Sequence, residues 1–262
     1  MTPRDAKTIA EIRALLERST GRALEELAVQ LADDDRAGVA AALAAARARD
    51  DAAAAERARL ARLYSLEKQL RAQGFLVVAG VDEVGRGALA GPLSAGACVL
   101  PASPRIHGID DSKRLTPARR QSLACSIREV ALCWSVAHVA PAELDSLGVT
   151  AALRRAMGRA LAGLELEPDH VVVDGHPVGV ARYETAVIKG DSKVAAVAAA
   201  SILAKVSRDE LMVSLAEDHP EYGFEINKGY GTPEHLEAVA RHGLSPVHRR
   251  SFAPGGGTQS LF

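Results

Sequence analysis

Residues 78–93 read VAGVDEVGRGALAGPL, an apolar run that ends in Asp82 and Glu83 and gives way at once to Gly85, Arg86 and Gly87. The run from Phe75 to Val81 predicts a buried strand, so the two acids stand at its C-terminal end. In an α/β sheet that edge is where sites form. A plain solvated strand end is the alternative reading. It is uncomfortable, because two adjacent acids just past a buried strand repel each other.

Working outward, the runs SAGACVL, CWSVAHV, HVVVD and TAVI alternate with helical stretches from Gly74 onward, which is an α/β pattern. Helices are predicted after Thr116-Pro117, from about Thr150 to Leu164, from Ser192 to Glu217 and from Pro233 to His242. Two further acids fall at strand ends. Asp174 follows the strand His170 to Val173, and Asp191 follows Thr185 to Ile188 across Lys189-Gly190 and opens the helix SKVAAVAAASILAKV. Taken alone, Asp191 is most simply an N-cap and Asp174 a turn residue before Gly175.

Together the four carboxylates mean more. Convergence at one sheet edge would be destabilising unless positive charge sat between them, and a pair of Mg²⁺ or Mn²⁺ ions supplies it. No His/Cys set of zinc type accompanies them, which favours hard, oxygen-bound cations. One geometrical condition follows. Neighbours on a regular strand point to opposite faces, so Asp82 and Glu83 share a metal only if the strand deviates there. Gly85 and Gly87 permit a deviation, and they let a substrate backbone approach exposed amides. Nucleotide-binding alternatives fit less well. The glycine spacing is not G-x-G-x-x-G, the acids would face a pyrophosphate, and Pro92 interrupts the following helix. No P-loop and no G-x-S-x-G elbow is present.

Residues 7 to 73 are rich in Ala, Arg, Glu and Leu and contain no proline, with apolar residues at helical spacing as in Ile9, Ile12, Leu15 and Leu16. Two short helices and a longer one through Gln73 are expected, broken at Ser19-Thr20-Gly21 and around Asp33-Asp34-Asp35. The run AAAAERARLARL has too few large apolar residues to form a core alone, so it should pack on other segments or stay mobile. The tail APGGGTQSLF reads as flexible.

With 262 residues and 48% hydrophobic content the chain can bury a sizeable core, and a net charge of -1 excludes a globally basic nucleic-acid binder while leaving room for a local basic groove. Cys98, Cys125 and Cys133 form no C-x-x-C pair and lie in apolar surroundings, which suits buried thiols in the cytoplasm. No stretch approaches the roughly twenty apolar residues of a membrane helix.

Several motifs resemble one family. AGVDEVGRG, DDSKRLTPARR, VVVDG, KGDSKVAAVAAASILAKVSRD, YGFEINKGYGT and SPVHRRSF occur in the order and spacing of type 2 ribonucleases H, the bacterial ribonuclease HII group, across roughly residues 74 to 252. The resemblance implies a ribonuclease H-like fold, a central mixed sheet flanked by helices, with an N-terminal helical extension over residues 1–73 and a tail from 253. It implies an endonuclease for ribonucleotide and primer removal; a monomer is expected. Such an enzyme cuts the RNA strand of RNA–DNA hybrids and the 5′ side of single ribonucleotides in duplex DNA, leaving 3′-hydroxyl and 5′-phosphate ends. A non-catalytic hybrid-binding module is the alternative, and would not need all four acids.

Carried onto this chain, the family's metal-binding, catalytic acids fall on Asp82, Glu83, Asp174 and Asp191, holding Mn²⁺ or Mg²⁺. Its glycine-arginine-glycine loop falls on Gly85, Arg86 and Gly87, which would sense the ribose 2′-hydroxyl through backbone groups. Tyr230 matches the tyrosine expected to pack on the junction sugar. Lys189, Lys193, Lys228, Arg249 and Arg250 are candidate phosphate contacts, with a solvated surface role as the plain alternative for each. Two positions depart from the family pattern: Ala88 stands where many relatives have proline, and His176 where asparagine is common. His176 could assist proton transfer near the metals, though a polar turn residue is the simpler account. Gln259 to Phe262 faintly resembles the peptides that dock repair enzymes onto sliding clamps, against a plain flexible tail.

Overall fold

The computed structural model describes residues 7–252. By its internal contacts the chain divides into two compact units, Met1–Ala61 and Arg62–Phe262. The division falls within a helix, earlier than the change of composition at Gly74.

The first unit is helical. Helix α1 (Ile9–Arg18) starts in a capping box, in which Thr8 and Glu11 satisfy each other's backbone amides. Helix α2 (Gly21–Gln30) follows, then α3 (Ala37–Leu63), so both expected breaks are present. Ile12, Leu16, Leu24, Val39 and Ala46 form a small shared core. The long third helix ends at Leu63, and α4 (Ser65–Ala72) is separate, a break that the proline-free composition did not signal.

The second unit is built on a five-stranded sheet in the order β3-β2-β1-β4-β5. The strands are β1 (Val78–Val84), β2 (Leu93–Val99), β3 (Cys133–Val139), β4 (His170–Asp174) and β5 (Glu184–Val187). β1 pairs antiparallel with β2 and parallel with β4, so the sheet is mixed. Around it lie α5 (Pro117–Val130), α6 (Pro141–Leu147), α7 (Val149–Ala162), α8 (Ala195–Asp218), α9 (Phe224–Asn227) and α10 (Pro233–His242). Thr116 and Thr232 cap α5 and α10 ahead of Pro117 and Pro233, as the sequence predicts.

Alternation along β1 sorts its side chains between two faces. Val81 joins Leu93, Ala95, Val173 and the α7 residues Ala152, Ala156 and Met157 in one core. Val78 faces the other way, against Leu70 of α4 and Val197 of α8. On this second face the sheet and α8 come unusually close. A methyl group built on Gly80 would lie 2.2 Å from the carbonyl carbon of Ala196, and one on Gly96 would lie 2.3 Å from the Ala200 oxygen. Alanine-rich helix against glycine-bearing strands is what permits this approach. Glu67 of α4 assists at the start of α8, its Oε1 accepting from the Ala196 amide at 2.9 Å. Cys98 and Cys133 are buried as expected, whereas Cys125 is exposed on α5, where the helical turn carries it to the outer side.

Candidate active site

The acids gather at the C-terminal ends of β1 and β4. The β1–β4 ladder stops at Val81 opposite Val173, so Asp82, Glu83 and Asp174 lie where parallel pairing has run out. Asp82 is 3% exposed, and on the α8 face it accepts a hydrogen bond from Ser201, which itself lies 3.0 Å from the Ser112 hydroxyl. Its Oδ1 also accepts from the Glu83 amide at 2.8 Å.

The expected distortion of the strand is not there. Asp82, Glu83 and Val84 stay in register opposite Gly96, Ala95 and Ser94, so Asp82 and Glu83 project to opposite faces. What varies instead is the neighbouring strand. Because β4 ends beside them, the two acids flank its terminus from either face, and both lie in the field of Asp174. Glu83 opens with Asp174 into a groove of about 1420 Å³ shared with Arg86, Gly87, Arg154 and His176.

Asp191 is likewise not the N-cap that its position suggested. It sits in a 3-10 turn, Gly190–Ser192, and α8 begins later, at Ala195, with Val194 as the capping position. The Gly190 amide donates to Asp174 Oδ1 at 2.6 Å, which ties this turn to the end of β4. Asp191, 4% exposed, receives Lys113 Nζ on Oδ2 at 3.0 Å. Lys113 also lies 3.8 Å from Asp111 Oδ1.

The electrostatics follow from burial. Burial holds the Asp82 carboxyl well above the usual carboxylate range, and the charges of Glu83 and Asp174 push it further, against the Ser201 hydrogen bond. Burial also raises Glu83, against the pull of Arg86, whose Nη1 is 4.0 Å away. Asp191 is raised by burial against the hydrogen bond from Lys113. For Lys113 burial works downward, yet Asp191, Asp111 and Asp82 together hold its pKa above the ordinary lysine value. The cluster is thus short of positive charge and uses one lysine to offset part of the deficit. Among the described residues no three His, Cys, Asp or Glu side chains stand as a ready-made metal-ligating group. The four acids share one field without closing on a point, with Lys113 and the Gly190 amide engaging two of them.

Beside the acids, Gly85 to Ala88 form a tight turn, closed by the Ala88 amide on the Gly85 carbonyl at 3.2 Å. Gly85 has φ 84, and a methyl there would meet Arg208 Nε at 2.3 Å, so only glycine fits. Gly87 is different, with open space around its α-carbon. The turn is joined to the loop bearing Tyr230, because the Leu89 and Ala90 amides both donate to the Gly229 carbonyl, at 2.8 and 3.1 Å. Tyr230 is half-buried, its ring 5.4 Å from the Arg208 guanidinium carbon.

The basic candidates separate. Lys189 is exposed with φ 57, and Arg250 is exposed, its backbone amide held by Asp145. Lys193 Nζ donates to the Ile188 carbonyl at 2.7 Å and Lys228 Nζ to that of Glu225. Arg249 is no phosphate contact. It is 1% exposed, and its guanidinium donates inward to the Gly91 and Arg86 carbonyls at 3.0 Å each. Burial lowers its pKa to about 9, and Arg208 adds to the effect. His176 is exposed at the groove, and the tail from 253, with Gln259 to Phe262, lies outside the described residues.

Lys113, Ser201 and Arg208 are functional candidates that local sequence patterns do not single out as clearly. Lys113 lies inside the stretch DDSKRLTPARR, but nothing in its local pattern separates it from the solvated Arg114. A signal for Arg208 did exist: it lies seven residues after Ser201, on the helix face that the alanine run buries.

Comparison with known proteins agrees with this arrangement. The ribonuclease HII family model matches residues 79–254, and the ribonuclease HII N-terminal domain model matches residues 8–71. A ribonuclease HII of Desulfitobacterium hafniense is 45% identical over 231 residues, 88% of this chain and 89% of that protein. The crystal structure of the ribonuclease H2 from Pyrococcus horikoshii matches with a TM-score of 0.58 and 30% identity, covering 67% of this chain and 93% of that one. The ribonuclease HII solved in complex with PCNA from Archaeoglobus fulgidus matches with a TM-score of 0.58 and 27% identity, over 71% of this chain and 98% of that one. A mixed sheet with acids at its parallel edge, the ordered motifs and these matches lead to one conclusion: the chain belongs to the ribonuclease HII family and is a ribonuclease H endonuclease.

Proposed function

We propose that the chain hydrolyses the RNA strand of RNA–DNA hybrids and cuts 5′ of single ribonucleotides embedded in duplex DNA, with Asp82, Glu83, Asp174 and Asp191 as the metal-holding acids. The observation that carries this reading is the all-oxygen cluster beside the ends of β1 and β4, with Asp82 and Asp191 buried and Glu83 and Asp174 half-buried, set beside a turn with an open glycine. Oxygen-only donors and a surplus of buried negative charge suit Mg²⁺ or Mn²⁺ rather than zinc. When bound, such ions supply an activated water and a counter-charge for the departing 3′-oxygen.

The chain's own residues do the rest. Asp82 is oriented by Ser201 and by the Glu83 amide, and Asp174 by the Gly190 amide. Lys113 opposes the upward push of burial on the Asp191 pKa, and a divalent ion held by this carboxylate would take the place of its ammonium. The Arg86–Gly87 peptide faces the groove, where a backbone group can hydrogen-bond a 2′-hydroxyl, the local feature that separates ribose from deoxyribose. Tyr230, on the loop tied to this turn through the Gly229 carbonyl, would supply an aromatic face for the sugar. Lys189, Lys193 and Arg250 supply exposed charge for phosphates and Lys228 a part-buried one, which makes affinity salt-dependent.

The test is a duplex carrying one ribonucleotide, incubated with Mg²⁺, with Mn²⁺ or with EDTA. Cutting on the 5′ side with metal and none with EDTA is the expected result, and its absence sinks the reading. Docking onto a sliding clamp through Gln259 to Phe262 is a separate part of the proposal, supported by the archaeal relative solved with PCNA. Deleting those four residues should abolish clamp capture in a pull-down. Unchanged capture removes the idea.

A further inference from the structure

Arg208 is fully buried in α8, and its hydrogen-bond partners are backbone carbonyls: Pro92 at 2.9 Å, Lys228 at 2.9 Å and Ala90 at 3.1 Å. Burying a guanidinium in this way is an expensive means of holding a fold, since a well-packed apolar side chain of similar volume is often neutral or better. Next to it lies Arg249, also buried, which reaches the Gly91 and Arg86 carbonyls and leaves its Nη2 without a partner. Between them the two side chains grip three short segments: the turn at Arg86, the stretch 90–92 and the loop 228–230.

Two of these, the turn at Arg86 and the loop 228–230, read the nucleic acid in the function proposed above, and the stretch 90–92 runs between them. The Arg208 guanidinium lies beneath the Tyr230 ring and fills the space that a side chain on Gly85 would need. Reading one sugar with a backbone group on one loop and an aromatic ring on another demands that their separation be held within about half an ångström. A planar guanidinium with several fixed donors can hold several carbonyls at set angles, which a lysine ammonium cannot.

We infer that Arg208 and Arg249 are positioning residues for ribonucleotide recognition, fixing the Arg86–Gly87 turn and Tyr230 as one unit while touching no nucleic acid themselves. The inference rests on the proposed roles of that turn and of Tyr230.

The test uses Arg208→Lys in the full chain, on a duplex with a single ribonucleotide and on one with four consecutive ribonucleotides. On the single ribonucleotide kcat should fall by about 10²-fold, the order expected for misplacement by an ångström, with a smaller change in KM because Lys189, Lys193 and Arg250 lie outside the loops that Arg208 grips. On the run of four, the wild-type chain should cut at one bond and the variant at several. A purely structural role would lower the amount of active protein and scale every product equally, so an unchanged cut pattern overturns the inference. Should Arg208→Lys fail to fold, Arg249→Lys, which loses the fork that spans the Gly91 and Arg86 carbonyls, takes its place: cuts at several bonds support the inference, and an unchanged pattern overturns it. Failure of the wild-type chain to cut either duplex would instead refute the proposed function.

Discussion

Two glycines two residues apart should respond to alanine in opposite ways. At Gly85 the backbone has φ 84, a left-handed region that costs an L-residue about 1–2 kcal/mol. The added methyl would also lie 2.3 Å from Arg208 Nε, 2.8 Å from its Cζ and 2.9 Å from its Cδ. The guanidinium must therefore shift, and its three carbonyl hydrogen bonds leave it nowhere to go without losing at least one. A hydrogen bond to a charged group contributes about 1.5–3 kcal/mol, so Gly85→Ala should destabilise by roughly 2.5–5 kcal/mol. For a chain of this size that lowers Tm by about 5–20 °C. Gly87→Ala meets nothing within 4 Å and should cost no more than about 0.5 kcal/mol. In the proposed function its methyl would stand where the substrate backbone approaches, so cleavage should fall while Tm holds. Trp134, the sole tryptophan, lies in β3 of the same unit and reports the unfolding by its fluorescence. Equal Tm values for the two variants, or a loss of stability at Gly87 as large as at Gly85, would refute the reasoning.

Other expectations follow from the same contacts. Lys113→Ala removes the ammonium that competes for Asp191, so calorimetric titration should show tighter Mn²⁺ binding while the metal-free protein melts lower; weaker binding would mean that Lys113 supports the metals instead. His248 is buried, accepts the Ser245 amide on Nδ1 and approaches His235 Nε2 at 3.0 Å, with His219, Tyr222, Phe224 and Glu221 nearby. Burial lowers its pKa to about 4 from the ordinary 6.5, so the unfolded chain binds the proton first and stability is lost as pH falls from about 6.5 towards 4. His248→Gln should flatten that part of a Tm-against-pH curve, and an unchanged slope would place the acid sensitivity elsewhere. Tyr230→Ala should slow cutting at a single ribonucleotide and leave the melting temperature within a few degrees, because the ring is only half-buried.

Much of this molecule is legible in its residues because the signals are local. Cys133 to Val139, His170 to Asp174 and Pro233 to His242 are elements whose ends are set by proline, glycine or a capping threonine, and the sequence marks them residue by residue. The acids at the strand ends are visible for the same reason. What escapes depends on contacts between distant segments. Nothing near Glu83 reveals that the β1–β4 ladder stops one pair short of Asp82, which is how the acids come together without a bent strand. Lys113 reaches Asp191 across 78 positions of the chain, and Arg249 reaches Arg86 across 163, so neither bond leaves a trace in its own neighbourhood. Arg249 reads as a phosphate contact because charge predicts exposure on average, and only the packing of three loops explains a buried cation.

In the proposed centre, acids on opposite faces of β1 serve one metal site at the end of β4. A crystal structure of the protein with Mn²⁺, located by anomalous scattering, tests this most directly. Metal is expected within about 2.0–2.3 Å of carboxylate oxygens from both Asp82 and Glu83, with Asp174 or Asp191 completing the set and the Lys113 ammonium displaced. Manganese bound by only one of Asp82 and Glu83, with the other turned to solvent, would contradict it.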